Sequence, residues 1–195
     1  MEILEKYNKK RDFTKTPEPV GRRDTRQYNN TITTTTNKVG KELRFVVQKH
    51  DATKLHYDFR LETKKESVLK SWAIPKGVSL DPKVKRLAVL TEDHPLDYLL
   101  FEGIIPEGSY GAGTVIVWDT GTYTSEQEIS DQFKNGKITF ILSGQKLKGR
   151  FSLLKTAREN QWLLIKGNDE FASTKDDLTI TRPESVLTGR TNQDL

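Results

Sequence analysis

The run His56-Tyr57-Asp58-Phe59-Arg60-Leu61-Glu62 alternates polar and apolar residues without a break. Period-two alternation fits a strand, because successive side chains point to opposite faces of a pleated backbone. Tyr57, Phe59 and Leu61 then share a core-facing side. His56, Asp58 and Arg60 share the other, with Cα atoms roughly 6.7 Å apart per two-residue step. That second side sets an imidazole and a carboxylate, able to converge on one ion, beside a guanidinium that can hold an oxyanion. Such a set points to chemistry on a phosphate.

The rest of the chain repeats the strand signal in short pieces. Leu43–Gln48, Val68–Ile74, Arg86–Thr91, Thr114–Trp118, Ile138–Leu142, Gly149–Thr156 and Gln161–Lys166 read as further strands. Pro75-Lys76-Gly77 ends one of them, and Arg158-Glu159-Asn160 turns between the last two. Asp119-Thr120-Gly121-Thr122 is expected to form a hairpin turn into Tyr123. Ser125-Glu126-Gln127-Glu128 has the form of a capping box, opening a short helix with Ile129 and Phe133 on one face and Asn135-Gly136 as its stop. Short, closely spaced strands with Gly/Pro turns predict a mainly β fold. The expectation is a small antiparallel β-barrel of about eight strands with one or two short helices. The core is expected over 43–171, with 172–195 as an extended tail over its surface.

Composition removes several function classes. The 195 residues suit one domain with tails. Cysteine is absent, which excludes disulfides, zinc-thiolate sites and thiol nucleophiles, and fits a reducing cytoplasm. No run approaches the ~20 apolar residues of a membrane span, and the acid-bearing start Met1–Lys6 is not a secretory signal. The net charge of +5 is uneven. Residues 1–65 hold 16 Lys/Arg against 9 Asp/Glu, whereas residues 66–195 hold 16 against 18. A basic first third fits a polyanion-facing surface, and equally a solvated charged face. Within it, residues 1–42 look loosely structured: Pro17 and Pro19 break helices, and Asn29 to Lys41 is rich in Thr. Lys9–Phe13 argues for docking, with Phe13 as an apolar anchor.

All three histidines, His50, His56 and His94, fall in one quarter of the chain. The turn Asp51–Leu55 brings His50 back alongside His56, so His50, His56 and Asp58 form a two-His, one-carboxylate set. Such a set leaves coordination positions open and suits Mn, Fe or a similar divalent ion, unlike a closed structural site. A pair of surface histidines on a polar strand face is the plainer reading of the same spacing. Pro95 forces His94 out of the helical region, where it can donate to a phosphate oxygen, protonate a leaving group or ligate a metal. Lys76 and Arg86, with Arg60, are placed to cradle an oxyanion from several sides. Glu102–Gly113 is Gly-rich but lacks the Lys-Ser/Thr ending and following helix of a nucleotide loop, so its glycines are read as turn formers.

The ordered series Phe45–Ala52, Leu55–Glu62, Leu69–Gly77, Glu92–Tyr98, Phe101–Gly103, Pro106–Gly108 and Tyr110–Gly113 resembles the 3′-phosphoesterase domain of bacterial DNA ligase D, also found free-standing. The leader Tyr7…Lys10–Phe13…Thr16–Pro19 shares the likeness. Thr63–Ser67 is slightly longer than the family's usual hairpin. The resemblance implies a β-barrel enzyme that heals 3′ ends in non-homologous end joining. It removes a 3′-terminal ribonucleoside from a primer strand, then the 3′-phosphate to leave a hydroxyl, with a divalent ion, typically Mn2+. It puts the metal on His50, His56 and Asp58, and the catalytic and phosphate-handling positions on Arg60, Lys76, Arg86, His94 and Tyr98. Phosphate binding itself falls to Arg60, Arg86 and His94. Leader residues Arg11, Asp12 and Glu18 match positions used for activity, so the basic leader, 1–42, is expected to pack near the site. The implied partners are DNA or DNA/RNA primer-template 3′ ends, plus a separate ligase and polymerase, with a monomeric protein and no membrane. Two other classes fit parts of the pattern. His56, Asp58 and His94 suit a mononuclear non-haem iron oxygenase, and the basic surface suits a non-catalytic module binding nucleic-acid ends.

Overall fold

The computed structural model describes residues 3–22 and 42–195; the Thr-rich stretch Asn29 to Lys41 lies outside them. A short helix, α1 (Glu5–Lys9), precedes nine strands: β1 (Leu43–Asp51), β2 (Leu55–Glu62), β3 (Leu69–Ile74), β4 (Lys85–Leu90), β5 (Gly103–Ile105), β6 (Gly113–Thr124), β7 (Lys137–Gly144), β8 (Lys148–Lys155) and β9 (Gln161–Lys166). Helix α2 (Ile129–Lys134) links β6 to β7, and α3 (Leu178–Thr181) follows the last strand. The strands run in the order β1-β2-β3-β4-β9-β8-β7-β6, and β6 pairs back onto β1. This closes an eight-stranded antiparallel barrel and removes its open edges. β5 is an extra strand on the β6 rim.

The alternation within β2 decides what fills the barrel. Tyr57, Phe59 and Leu61 point inward and meet Phe45, Val47, Trp72, Trp118, Phe140 and Trp162 in the main core. The opposite side of the same wall is not left to solvent. Val46, Val115 and Val117 face outward and are covered by a 3₁₀ turn, Leu96–Leu100, and by the leader, which contributes Leu4 and Tyr7. Burying such side chains stabilises the docked leader by about 2 kcal/mol each. The polar face of β2 therefore lies under a second apolar cluster, in a sheltered crevice on the outside of the barrel.

Two local expectations fail for tertiary reasons. Asp119–Thr122 is not a turn, because β6 runs straight through it. The Asp119 carboxylate instead accepts from the backbone N–H groups of Gln145, Lys146 and Leu147 at 2.8–3.0 Å. Gly121 serves a close crossing: a Cβ there would stand 2.2 Å from the Ser143 carbonyl oxygen. A bulge at Trp118, opposite Val47 and Gln48, shifts the phase of β6. Val115 and Val117 therefore face the outer cluster, while Trp118 and Tyr123 face the barrel interior. The capping box also fails. Glu128 occupies the N-cap of α2 without a side-chain capping bond. Ser125 Oγ donates to the Thr139 carbonyl instead, tying the segment to β7. Ile129 and Phe133 do pack on the core, and Gly136 (φ 74°) ends the helix.

The C-terminal segment forms α3 and a 3₁₀ turn, Asn192–Asp194, as well as extended chain. Lys146 Nζ donates to the carbonyls of Arg182 and Glu184, and Val186 N–H donates to Val117 O at 3.0 Å. Asn192 Nδ2 donates to Thr114 O at 2.9 Å. Val117 lies between the stretches of β6 that pair with β5 and with β7, so the segment satisfies backbone there that neither strand reaches. Among the described residues, no helix is long and apolar enough to cross a membrane.

Candidate metal and phosphate site

Antiparallel register brings the first three residues together. His50 of β1 stands directly opposite His56 of β2, and Gln48 opposite Asp58. His50 Nδ1 lies 3.5 Å and His56 Nε2 3.7 Å from Asp58 Oδ2, and one donor atom from each residue falls within 4.8 Å of the others. Ligands at about 2.1 Å from a common ion stand about 3–3.5 Å apart, so the set fits a divalent cation with little movement. The tautomers fit as well. His50 Nε2 is 2.8 Å from Gly111 O, and His56 Nδ1 is 2.9 Å from Lys54 O. A ring N–H donated to each carbonyl leaves His50 Nδ1 and His56 Nε2 as free lone pairs facing the carboxylate. Gly111 adopts φ 76°, a conformation open to glycine, and this aims its carbonyl at His50.

Arg60 extends the row. It is 2% exposed. Its Nη2 is 3.2 Å from Asp58 Oδ2, and its Nε donates to Gln48 Oε1 at 2.7 Å. Gln48 is in turn fixed by donating to the Tyr98 and Phe101 carbonyls. Burial pushes the Asp58 carboxyl up, but the Arg60 guanidinium, foremost among its neighbours, outweighs it and the group is held well below the usual carboxylate range. Asp58 is therefore ionised and ready to bind a cation at any physiological pH.

His94 forms an isolated bridge with Leu69, which anchors it over β3. Its Nδ1 lies 3.1 Å from Arg60 Nη1 and 2.9 Å from Glu92 O, and its Nε2 lies 3.5 Å from Arg11 Nη2. One tautomer can donate to the carbonyl or accept from the guanidinium at Nδ1, not both. Burial, then Arg60 and Arg11, depress its pKa well below the ordinary histidine value, so the ring is neutral. Two guanidiniums, each also paired with carboxylates, flank a neutral imidazole and offer N–H donors to an anion.

The leader supplies the far wall. Arg11 stacks on Tyr7 with its guanidinium carbon 3.8 Å from the ring centroid. It pairs with Glu18 at 2.8 Å and Glu92 at 3.1 Å. Buried Glu18 also accepts from Tyr98 Oη at 2.8 Å and Thr16 Oγ1 at 2.9 Å. Tyr98 and Glu18 thus hold Arg11 in place. Asp12 does not join them; it is exposed and caps its own turn, accepting from Thr14 and pairing with Lys15.

Lys76 and Arg86 are not gathered with Arg60. Lys76 is exposed in the turn after β3. Arg86 sits opposite Leu164, on the inward face that Ala88 shares, and pairs loosely with Asp177 at 3.9 Å. Its Nε is buried without a hydrogen-bond partner. Among the described residues, neither side chain hydrogen-bonds or ion-pairs with Arg60. The cause is topological, since β3 and β4 pair over only Trp72↔Leu90 and Ala73↔Val89 before they separate. Sequence reasoning missed Gln48, Glu92 and Lys10. Gln48 was within reach, because period two puts it on the face of His50. Glu92 and Lys10 carried no signal, since their pairing spans 82 residues.

The sequence profile of the DNA Ligase D 3′-phosphoesterase domain matches residues 48–155, from Gln48 through the end of β8. The chain belongs to this family. A multifunctional non-homologous end joining protein LigD from Pseudomonas aeruginosa is 49% identical over 193 residues, 96% of this chain. The LigD of Mycobacterium tuberculosis H37Rv is 43% identical over 160 residues, and that of Mycolicibacterium smegmatis 40% over 173. The chain spans about one fifth of the length of these relatives, between 19% and 21%.

Proposed function

We propose that this protein is a divalent-metal-dependent 3′-phosphoesterase that heals DNA or DNA/RNA primer-template ends for end joining. It removes a 3′-terminal ribonucleoside and then the 3′-phosphate, leaving a 3′-hydroxyl. The observation that carries the reading is one continuous row on the outer barrel face. A cation-type set, His50, His56 and Asp58, runs directly into an anion-type set, Arg60, His94 and Arg11. A phosphate seated between the two halves would meet the ion that the first set would hold and the guanidinium donors of the second.

His50, His56 and Asp58 would hold the ion, with Mn2+ as the family's usual choice. When bound, it supplies Lewis-acid polarisation of a phosphate oxygen. The chain's own groups do the rest. Arg60 and Arg11 offset negative charge that grows on the phosphoryl oxygens, from positions fixed in advance by Gln48 and Glu18. His94, neutral between them, donates a hydrogen bond to the phosphate from its ring N–H. Lys76, exposed in the turn after β3, would contact a flanking backbone phosphate. The His56, Asp58 and His94 set of an iron oxygenase is not favoured, because guanidiniums at both nitrogens of His94 oppose a cation there.

The test uses a 5′-labelled primer-template that ends in one ribonucleotide, incubated with Mn2+ or with chelator. Ordered loss of the nucleoside and then the phosphate is expected, in Mn2+ alone. His56→Ala and Asp58→Ala should bind Mn2+ at least tenfold more weakly by calorimetry and lose both steps while circular dichroism stays unchanged. Full activity in either folded variant, or binding of the end without product, would overturn the proposal.

A further inference from the structure

Tyr110 is a large aromatic side chain left half exposed, at 50%, beside a crevice whose inner members His50, Asp58, Arg60 and His94 are buried. Its neighbour Gly111 orients His50, and Gly108 and Gly111, at φ 79° and 76°, fix the turn that carries it. On the other side of the ring stands the leader. Lys10 Nζ lies 4.4 Å from the ring centroid and 3.1 Å from the Tyr110 hydroxyl, and Arg11 stands 5.5 Å from the ring. Lys10 is itself held by Glu92 at 2.9 Å. The ring is therefore positioned from the cation-type half through Gly111 and from the anion-type half through Arg11. None of these contacts fills a core, and an exposed aromatic held by a cation is the arrangement that takes a stacked nucleobase.

We propose that Tyr110 is the platform on which the base of the 3′-terminal nucleotide stacks, with Lys10 steadying the ring and meeting the adjoining phosphate. The idea rests on the phosphoesterase reading and adds a specificity element to it. Stacking tolerates any base, because each has a π face, so the end is gripped without sequence preference. An abasic terminus gains nothing from the ring.

Two measurements on the full chain decide it. In steady state with Mn2+, Tyr110→Ala should raise KM about tenfold or more for a 3′-phosphate on a normal nucleotide. It should leave kcat nearly unchanged and have little effect on an abasic 3′-phosphate. Tyr110→Phe, which keeps the ring, should restore wild-type KM. An equal KM rise on both substrates, or none, overturns the platform. Second, 2-aminopurine placed at the 3′ end should lose fluorescence when the wild-type protein binds, and not when Tyr110→Ala binds. This readout needs no turnover. If wild-type protein hydrolyses neither end, the phosphoesterase reading fails, and quenching still decides stacking. If it hydrolyses both without quenching, stacking alone fails.

Discussion

Glu18→Gln is the sharpest probe of how the leader completes the site. Glu18 has no exposed side-chain surface and takes three side-chain hydrogen bonds, from Arg11, Tyr98 and Thr16. Glutamine keeps the shape and one acceptor oxygen but removes the charge that faces Arg11, whose side chain is 5% exposed. A hydrogen bond to a charged group contributes about 1.5–3 kcal/mol, and Arg11 retains Glu92, so a loss of about 2 kcal/mol is expected. That is ~30-fold in the equilibrium between docked and undocked leader. Native-state hydrogen exchange reads this directly, because amides released by local opening exchange faster in proportion to the open population. The Asn8, Lys15 and Thr16 amides, which bond within the leader, should exchange ~30-fold faster while those of β7, β8 and β9 stay unchanged. Glu5→Gln is the control. It breaks only the exposed pair with Lys9, worth about 0.3–0.5 kcal/mol. Unchanged leader exchange in Glu18→Gln would refute the claim that this buried pairing holds the leader. Equal acceleration across the barrel would refute the claim that the leader opens on its own.

Two further outcomes test the scaffold. Asp119→Ala strands the N–H groups of Gln145, Lys146 and Leu147, and should cost about 3 kcal/mol in urea unfolding; a loss under about 1 kcal/mol would contradict the role given to that carboxylate. Lys146 is buried against the C-terminal segment, and burial lowers its pKa from 10.5 to about 8. Between those values the unfolded chain holds a proton that the folded chain has released. Stability should therefore rise from pH 8 to 10.5, by up to about 3 kcal/mol, with the full cost present below pH 8. Lys146→Met should flatten that rise, and a wild-type profile that falls across the window would contradict the assignment.

The chain's local pattern was sufficient for the barrel and for the centre of the site. Period two in β2 sorted Tyr57, Phe59 and Leu61 from His56, Asp58 and Arg60, and a short turn placed His50 opposite His56. These relations act over a few residues, so they are written into the order of side chains. Tertiary structure alone decided what closes the crevice. Arg11 meets His94 across 83 residues, and Glu18 meets Tyr98 across 80. Asp119 looked like a turn former until the turn between β7 and β8 offered three N–H groups to its carboxylate. Arg86 is set beside Asp177 on the inward face by the parting of β3 and β4, a placement its residue type does not encode. A side chain's type is local information, but its partner is set by the closed sheet, which brings distant segments within bonding distance only after the whole barrel has formed.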